Sequence, residues 1–179
     1  MLATLRRAVL ISAVFFVLLG LAYPLAATGI GQAFLAHQAS GSLTHNGSIL
    51  VGQQWNGPGW FRGRPDADDP MATGGTNLGP RSKALVAAAS KQLISLHRAG
   101  ITPTPDLVTT SGSGVDPDIS PADAYAQASA VATARGLPVA LIRHLIGGHI
   151  QPPQFGFLGS PYLNVLQLNQ ALQSAGRSR

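Results

Sequence analysis

The alternation of apolar and polar positions divides the chain at its N-terminal end. Twenty consecutive residues, 8–27, carry no charge. At about 1.5 Å of rise per helical residue, such a run matches the roughly 30 Å hydrocarbon core of a bilayer. This predicts a short cytoplasmic N-terminus over 1–7 and a transmembrane helix over 8–27, with Pro24 tolerated where neighbours satisfy the carbonyl it frees. Residues 28–41 are weakly apolar and uncharged, either a continuation of that helix or a linker. Over 42–53, two short β-prone runs flank Asn46-Gly47, a dipeptide suited to a two-residue type I′ turn, so a hairpin is expected. Residues 82–99 place Leu85, Ala89, Leu93 and Leu96 on one helical face and Lys91, Ser95 and Arg98 on the other, with Gly100 as a left-handed stop. A second helix is expected from the N-cap Ser120, with Pro121 first and Asp123 third, to Arg135 before Gly136. A third covers 137–146, Phe155 and Phe157 fall in an expected strand, and Val165, Leu168 and Leu172 mark a last helix capped by Asn164. The fold class is α+β: a single N-terminal transmembrane helix followed by one mixed α/β domain over 42–179.

Charge orients this arrangement. Arg6 and Arg7 are the only cationic side chains near the apolar run, and the next is Arg62. The positive-inside rule then puts the N-terminus in the cytoplasm and the domain outside. A cleaved signal peptide is the rival reading, but its apolar region is usually only about 7 to 15 residues, and cuts after Ala26 or Ala27 would put Pro24 or Leu25 where a small residue belongs. Cysteine is absent, which excludes disulfides, thiolate metal sites and cysteine nucleophiles. Outside the anchor, ten basic residues face seven acids, all of them Asp. The high pI of 10.5 therefore reflects few acids and no basic stripe, so nucleic acid is not an expected partner.

Candidate chemistry is sparse. Residues 55–80 are dense in Gly, Pro, Asn and Asp, longer than an ordinary connection and so functional in character; Trp60, Phe61, Arg62 and Arg64 within it argue for an ordered segment. Asp116 and Asp118 are the obvious acid pair, yet they lie just before a helix start, where carboxylates favour the positive end of the dipole, so turn and cap roles outweigh catalysis. Asp66, Asp68 and Asp69 resemble the opening of a calcium loop, but Pro70 and Asn77 stand where ligands belong. Ser111 or Ser113 with Asp116 and His144 or His149 makes a triad only on paper, because no Gly-x-Ser-x-Gly elbow surrounds any serine. The glycines of 111–116 suit an anion nest, but no P-loop lysine follows and a plain tight turn is the better reading. Five histidines show no metal-ligand spacing.

Several motifs in one order carry a resemblance: Gly47-Ser48 through Gly52-Gln53; Trp60-Phe61-Arg62-Gly63-Arg64-Pro65; Gly74-Gly75-Thr76-Asn77-Leu78-Gly79; Asp106-Leu107-Val108-Thr109-Thr110-Ser111-Gly112-Ser113-Gly114-Val115-Asp116-Pro117; Ala134-Arg135-Gly136; Gly156-Phe157-Leu158-Gly159; and Asn164-Val165-Leu166. With the N-terminal anchor, they resemble the C subunit of the Kdp-type potassium-transporting ATPase, the KdpC family, over nearly the whole chain. The departures are Asp66 for serine, Val115 for leucine, Asp118 for histidine and a shortened segment after the anchor. An acid at position 118 inverts the local charge relative to an imidazole.

The resemblance implies a non-catalytic subunit of a bacterial inner-membrane pump. Its partners would be a potassium-channel-like subunit, a P-type ATPase subunit and a small single-span subunit, besides the lipid bilayer. ATP and magnesium would belong to the ATPase subunit, and K+ would be the transported ion. The resemblance implies either a catalytic chaperone that raises the ATPase subunit's ATP affinity, with or without touching the nucleotide, or a role in assembly and extracytoplasmic capping of the channel-like subunit, and the topology favours the second. Only about seven residues precede the anchor on the cytoplasmic side, so any effect on ATP affinity is expected to be allosteric. No catalytic or metal-binding residue is implied. Trp60, Phe61, Arg62, Arg64 and Asn77 are the expected partner surface, and Ser111, Gly112, Ser113, Gly114, Asp116 and Ser120 a structural turn. The alternatives are a membrane-anchored enzyme and a signal-cleaved binding protein.

Overall fold

The computed structural model describes residues 1–65 and 73–177. They form two compact units, Met1–Ser48 and Ile49–Arg179. The expectation about Asp66, Asp68, Asp69 and Pro70 lies outside the described residues.

In the first unit, helix α1 (Leu2–Val17), one π-helical turn (Leu18–Ala22) and helix α2 (Tyr23–Phe34) run on as a single helix of 33 residues. The π turn accommodates Pro24. Proline lacks the N–H owed to the carbonyl four residues back and its ring crowds that carbonyl; widening the turn lets the Tyr23 N–H reach the Leu18 carbonyl instead. None of this helix is buried within the chain, and among the described residues it is the one helix long and apolar enough to cross a membrane. It continues past residue 27 to Phe34 and breaks at Leu35, whose φ of −133° and ψ of 40° are not helical. A single turn, α3 (Ala36–Ala39), follows.

Strands β1 (Leu43–Thr44) and β2 (Gly47–Ser48) then pair antiparallel, Leu43 with Ser48 and Thr44 with Gly47. The hairpin is present, but its two-residue connection is His45-Asn46 and not Asn46-Gly47. Asn46 keeps a negative φ while Gly47, at φ +125°, enters the strand, so the turn is not type I′. The Thr44 hydroxyl donates to the Gly47 carbonyl at 2.7 Å, a local bond that shifts the pairing by one residue.

The second unit is built around helices α6 (Pro121–Arg135), α7 (Val139–His149) and α8 (Val165–Arg177), with α7 packed against both others. Small residues Ala124, Ala128 and Ala132 let α6 approach closely, while Ile142 and Ile146 of α7 and Leu168 and Leu172 of α8 fill the space between. Each such large side chain, fully buried, contributes about 1.5–3 kcal/mol. Strands β3 (Asp118–Ile119) and β4 (Leu163–Asn164) pair antiparallel and add Ile119 and Leu163 to the same core. A smaller cluster joins Leu96 of α4 (Lys83–Arg98), Ile101 and Leu107 of α5 (Pro105–Val108), with Ala130 of α6 packed on it.

Helix ends follow the sequence closely. Ser120 and Asp123 form a reciprocal capping box at 3.2 and 3.0 Å, and Gly136 closes α6 at φ +64°. The Asn164 side-chain oxygen accepts from the Gln167 N–H at 3.2 Å and so caps α8. Three expectations need correction. In α4, Leu85 and Ala89 are half-buried and Leu96 fully buried, but Leu93 is 38% exposed, because Gln92 takes the inward position between them. Helix α7 starts two residues late, after Pro138 in extended conformation, and runs on to His149. Phe155 and Phe157 lie in a tight turn and not in a strand; Phe155 and Gly156 both have positive φ, which reverses the chain there.

Candidate functional site

Phe61 and Arg62, in the long segment after residue 53, are held by side chains from two helices. Asn169, fully buried on α8, accepts from the Phe61 N–H at 2.9 Å and donates to the Phe61 carbonyl at 2.9 Å. Gln127, fully buried on α6, does the same for the next residue, accepting from the Arg62 N–H at 2.8 Å and donating to its carbonyl at 3.0 Å. A carboxamide carries one acceptor and a donor group in the arrangement of a peptide, so each replaces a neighbouring strand and leaves no backbone group of these two residues orphaned. Phe61 is thereby held at 0% exposure in the main core. This corrects the expectation that Phe61 faces a partner: its ring is sequestered, and what it anchors is the loop.

Trp60 is committed in a related way. Its ring lies 4.9 Å from that of Trp55, tilted by 40°, and the Arg135 guanidinium carbon sits 4.1 Å from its centroid. The Arg135 Nε–H also donates to the Gly59 carbonyl. Burial pushes the Arg135 guanidinium down from its ordinary value, which leaves it charged and attracted to the negative ring face. Arg135 is the last residue of α6, where a cation also favours the helix dipole.

Arg64 reaches the turn that the sequence marks most strongly. Its guanidinium donates to the Thr109 hydroxyl at 3.3 Å and the Thr110 carbonyl at 3.2 Å, and lies 3.7 Å from the Asp116 carboxylate. The turn is self-satisfied: the Gly114 N–H donates to Ser111 Oγ at 2.9 Å, the Val115 N–H to Ser113 Oγ at 3.2 Å, and the Asp118 N–H to Asp116 Oδ1 at 3.1 Å. Two other loops lie against it, with the Gly52 N–H donating to the Val115 carbonyl at 2.8 Å and the Gly74 N–H to the Ser113 carbonyl at 2.7 Å. A Cβ on Gly52 would come within 2.6 Å of the Asp116 carbonyl oxygen, and one on Gly114 within 2.5 Å of the Gly74 oxygen. Glycine is required at both positions by close backbone approach.

Chemically, the turn is built for shape. The Gly114 and Val115 amides that an anion nest needs are already taken by serine hydroxyls, and those hydroxyls serve the turn. His149 bonds the Leu145 carbonyl of its own helix at 2.8 Å and His144 is exposed. Among the described residues no group of acids and histidines could hold a metal ion. Asp118 accepts from Asn164 Nδ2 at 3.1 Å, and that amide also donates to the Ile49 carbonyl at 2.8 Å. Burial holds the Asp118 carboxyl above its ordinary 3.8; the Asn164 hydrogen bond opposes this and the nearby Asp116 charge reinforces it.

A groove of about 570 Å³ runs between the two loops, lined by Trp55, Arg62, Arg64, Gln92, Asp116 and Val165 among others. Arg62 and Arg64 of the expected partner surface line it together, whereas Asn77 is exposed on the later loop at φ +53°. Of the residues that organise this region, Gln127, Asn169 and Trp55 escape a reading by motif, and Arg135 falls in one, Ala134-Arg135-Gly136, that says nothing of its contact with Trp60. The one signal for the amides is a single uncharged polar residue within each helix's apolar stripe.

This geometry joins motifs far apart in sequence, and the comparisons with known proteins cover the same span. The model of the family described as K+-transporting ATPase, c chain, matches residues 5–174. A potassium-transporting ATPase KdpC subunit of Caulobacter vibrioides is 46% identical, covering 97% of this chain and 94% of its own length. Those of Variovorax paradoxus and Allorhizobium ampelinum are 44% and 43% identical, covering 98% and 100% of this chain and the same shares of their own. With the apolar N-terminal helix from residue 5 onward, the clamped aromatic loop and the glycine turn inside the matched region, the chain belongs to the KdpC family of potassium-transporting ATPase subunits.

Proposed function

We propose that the chain is the non-catalytic accessory subunit of an ATP-driven potassium pump, held in the bacterial inner membrane by α1 and α2 with its N-terminus in the cytoplasm. The unit Ile49–Arg179 then lies outside and caps a potassium-channel-like subunit, assisting assembly with that subunit, a P-type ATPase subunit and a small single-span subunit. ATP and magnesium bind the ATPase partner, and K+ passes through the complex. A catalytic-chaperone effect on ATP affinity reaches that partner as a coupling free energy transmitted through the assembly, because the positive-inside rule applied to Arg6 and Arg7 favours a folded unit on the side opposite the nucleotide.

The observation that carries this reading is the extent of the family match. It begins at residue 5, within the apolar helix that opens at Leu2, and ends within α8, so the family shares nearly all of that helix together with the folded unit. The length of that helix, 33 residues against the roughly 7 to 15 apolar residues of a leader, favours an anchored subunit over a signal-cleaved binding protein. The self-satisfied turn, with its hydroxyls and amides committed to one another, favours a shape-giving accessory role over an anchored enzyme.

Val17→Arg tests the anchor. A charge near the bilayer centre costs about 2.5–3.5 kcal/mol on insertion scales. The expected result is depletion of this subunit from a pump purified in mild detergent, with the ATPase partner still present in the membrane. Normal yield and stoichiometry of the variant complex would overturn the anchor as an assembly determinant.

A further inference from the structure

Between α7 and β4 the chain projects a short uncharged arm that the role above does not use. Its base is an antiparallel bridge, Gln151 N–H to Tyr162 carbonyl at 2.8 Å and Tyr162 N–H to Gln151 carbonyl at 3.1 Å. Its tip is a second bridge, in which the Gln154 and Leu158 backbones exchange two bonds of 2.9 Å. Pro152, Pro153 and Pro161 stiffen the strands between. The tip turn holds Phe155 at φ +53° and Gly156 at φ +83°. A left-handed backbone is uncommon for an aromatic residue and unfavourable, and such strain gathers where a side chain is held for a purpose. What the turn holds out is apolar: Phe155 is 87% exposed and Phe157 76%, with Leu158 beside them at 49%.

The surroundings limit what can receive this tip. Residues 151–163 carry no charge, and no acid occurs anywhere after Asp123, while Arg135, Arg143 and Arg177 all do. The strand pairing brings Asp118 opposite Asn164 just beyond the foot of the arm, where its carboxyl accepts from the Asn164 amide, and residues 151–163 themselves present nothing that repels an anionic headgroup. Tyr162, at the foot of the arm and 41% exposed, has the amphipathic ring that settles at headgroup level. The same chain carries a helix able to cross a bilayer, so a lipid surface is always at hand at high effective concentration. We propose that Phe155, Phe157 and Leu158 form a membrane-docking tip that inserts into the interface of the bilayer in which the chain is anchored. This rests on the reading that α1 and α2 span that bilayer. A stiff tip loses little freedom on insertion, which suits it to fix the folded unit's attitude to the membrane.

The natural absence of cysteine makes the test direct. A spin label on Ser160→Cys, which is exposed and leaves both phenylalanines in place, is compared with labels on Val17→Cys and on exposed Ser174→Cys. The full chain is reconstituted in vesicles of phosphatidylcholine and phosphatidylglycerol, and relaxation by oxygen and by a water-soluble nickel chelate is measured. The expected result is oxygen-dominated relaxation at 17 and 160 and nickel-dominated relaxation at 174. The Phe155→Ser, Phe157→Ser double variant should then raise nickel accessibility at 160 several-fold while leaving 17 unchanged. Nickel-dominated relaxation at 160 with 17 still in lipid overturns the docking tip alone. Exclusion of both reagents at 160 also overturns it, in favour of a protein contact. Nickel access at 17 overturns the anchor, and the tip with it.

Discussion

Asn169 on α8 makes both available backbone hydrogen bonds of Phe61, 108 residues away in sequence, at 2.9 Å each. The relationship is a substitute for a β-sheet. A glycine-rich loop cannot by itself hold an aromatic ring in a core, and the carboxamide supplies the neighbour that a strand would have had.

Asn169→Ala is therefore expected to destabilise the folded unit disproportionately. Two buried backbone groups lose their partners, at about 1–3 kcal/mol each. Thermal unfolding of the purified full chain in detergent should show a clearly lowered midpoint, and Gln127→Ala a similar loss. An unchanged midpoint for both would mean that the loop is held by packing alone.

Trp60 and Arg62, adjacent in sequence, should separate cleanly. Trp60→Ala removes the contacts with Trp55 and Arg135, and is expected to cost on the order of 2 kcal/mol of folding stability. Arg62→Ala leaves the backbone clamp on Gln127 intact and removes only a side chain lining the groove, so folding should change by no more than about 0.5 kcal/mol. Retained folding with lost co-purification of the pump subunits would identify Arg62 as a partner contact; equal destabilisation by the two changes would refute the division.

For Asp116→Asn, the acceptor for the Asp118 N–H remains and only the partly exposed pair with Arg64 weakens, worth at most about 1 kcal/mol. The complex should assemble, and potassium-dependent ATPase activity should fall by several-fold at most. A loss of orders of magnitude at equal subunit content would restore Asp116 as an obligatory acid.

Asp118 carries a pH signature. Its carboxyl is held above the ordinary 3.8, chiefly by burial, so the folded state binds its proton more tightly than the unfolded one. Stability from this group is then gained as pH falls through the folded-state pKa and is absent above it, opposite to a salt-bridged acid. Asp118→Asn keeps the acceptor for Asn164 without the buried charge. Its unfolding midpoint should be the less sensitive to mild acidification; a profile parallel to that of the unchanged chain would assign the pH dependence elsewhere.

The sequence by itself determined what local chemistry controls. The apolar run, the Ser120 and Asn164 caps, the Gly136 stop and the apolar face of α8 are each set within a turn or two of chain, where spacing and hydrogen-bonding capacity decide the conformation. The Asp116 turn was legible for the same reason, since its bonds span only two or three residues. The tertiary structure decided everything that rests on distant pairing. Phe61 read as a surface aromatic because nothing near it in sequence could bury it; Asn169 and Gln127, on two other helices, did so. Trp60 met Arg135 only because α6 ends beside the loop. Phe155 and Phe157 had the composition of a strand, but the bridges at Gln154 and Gln151 folded them into an exposed tip, and β-propensity yields wherever pairing leaves no neighbour to receive it.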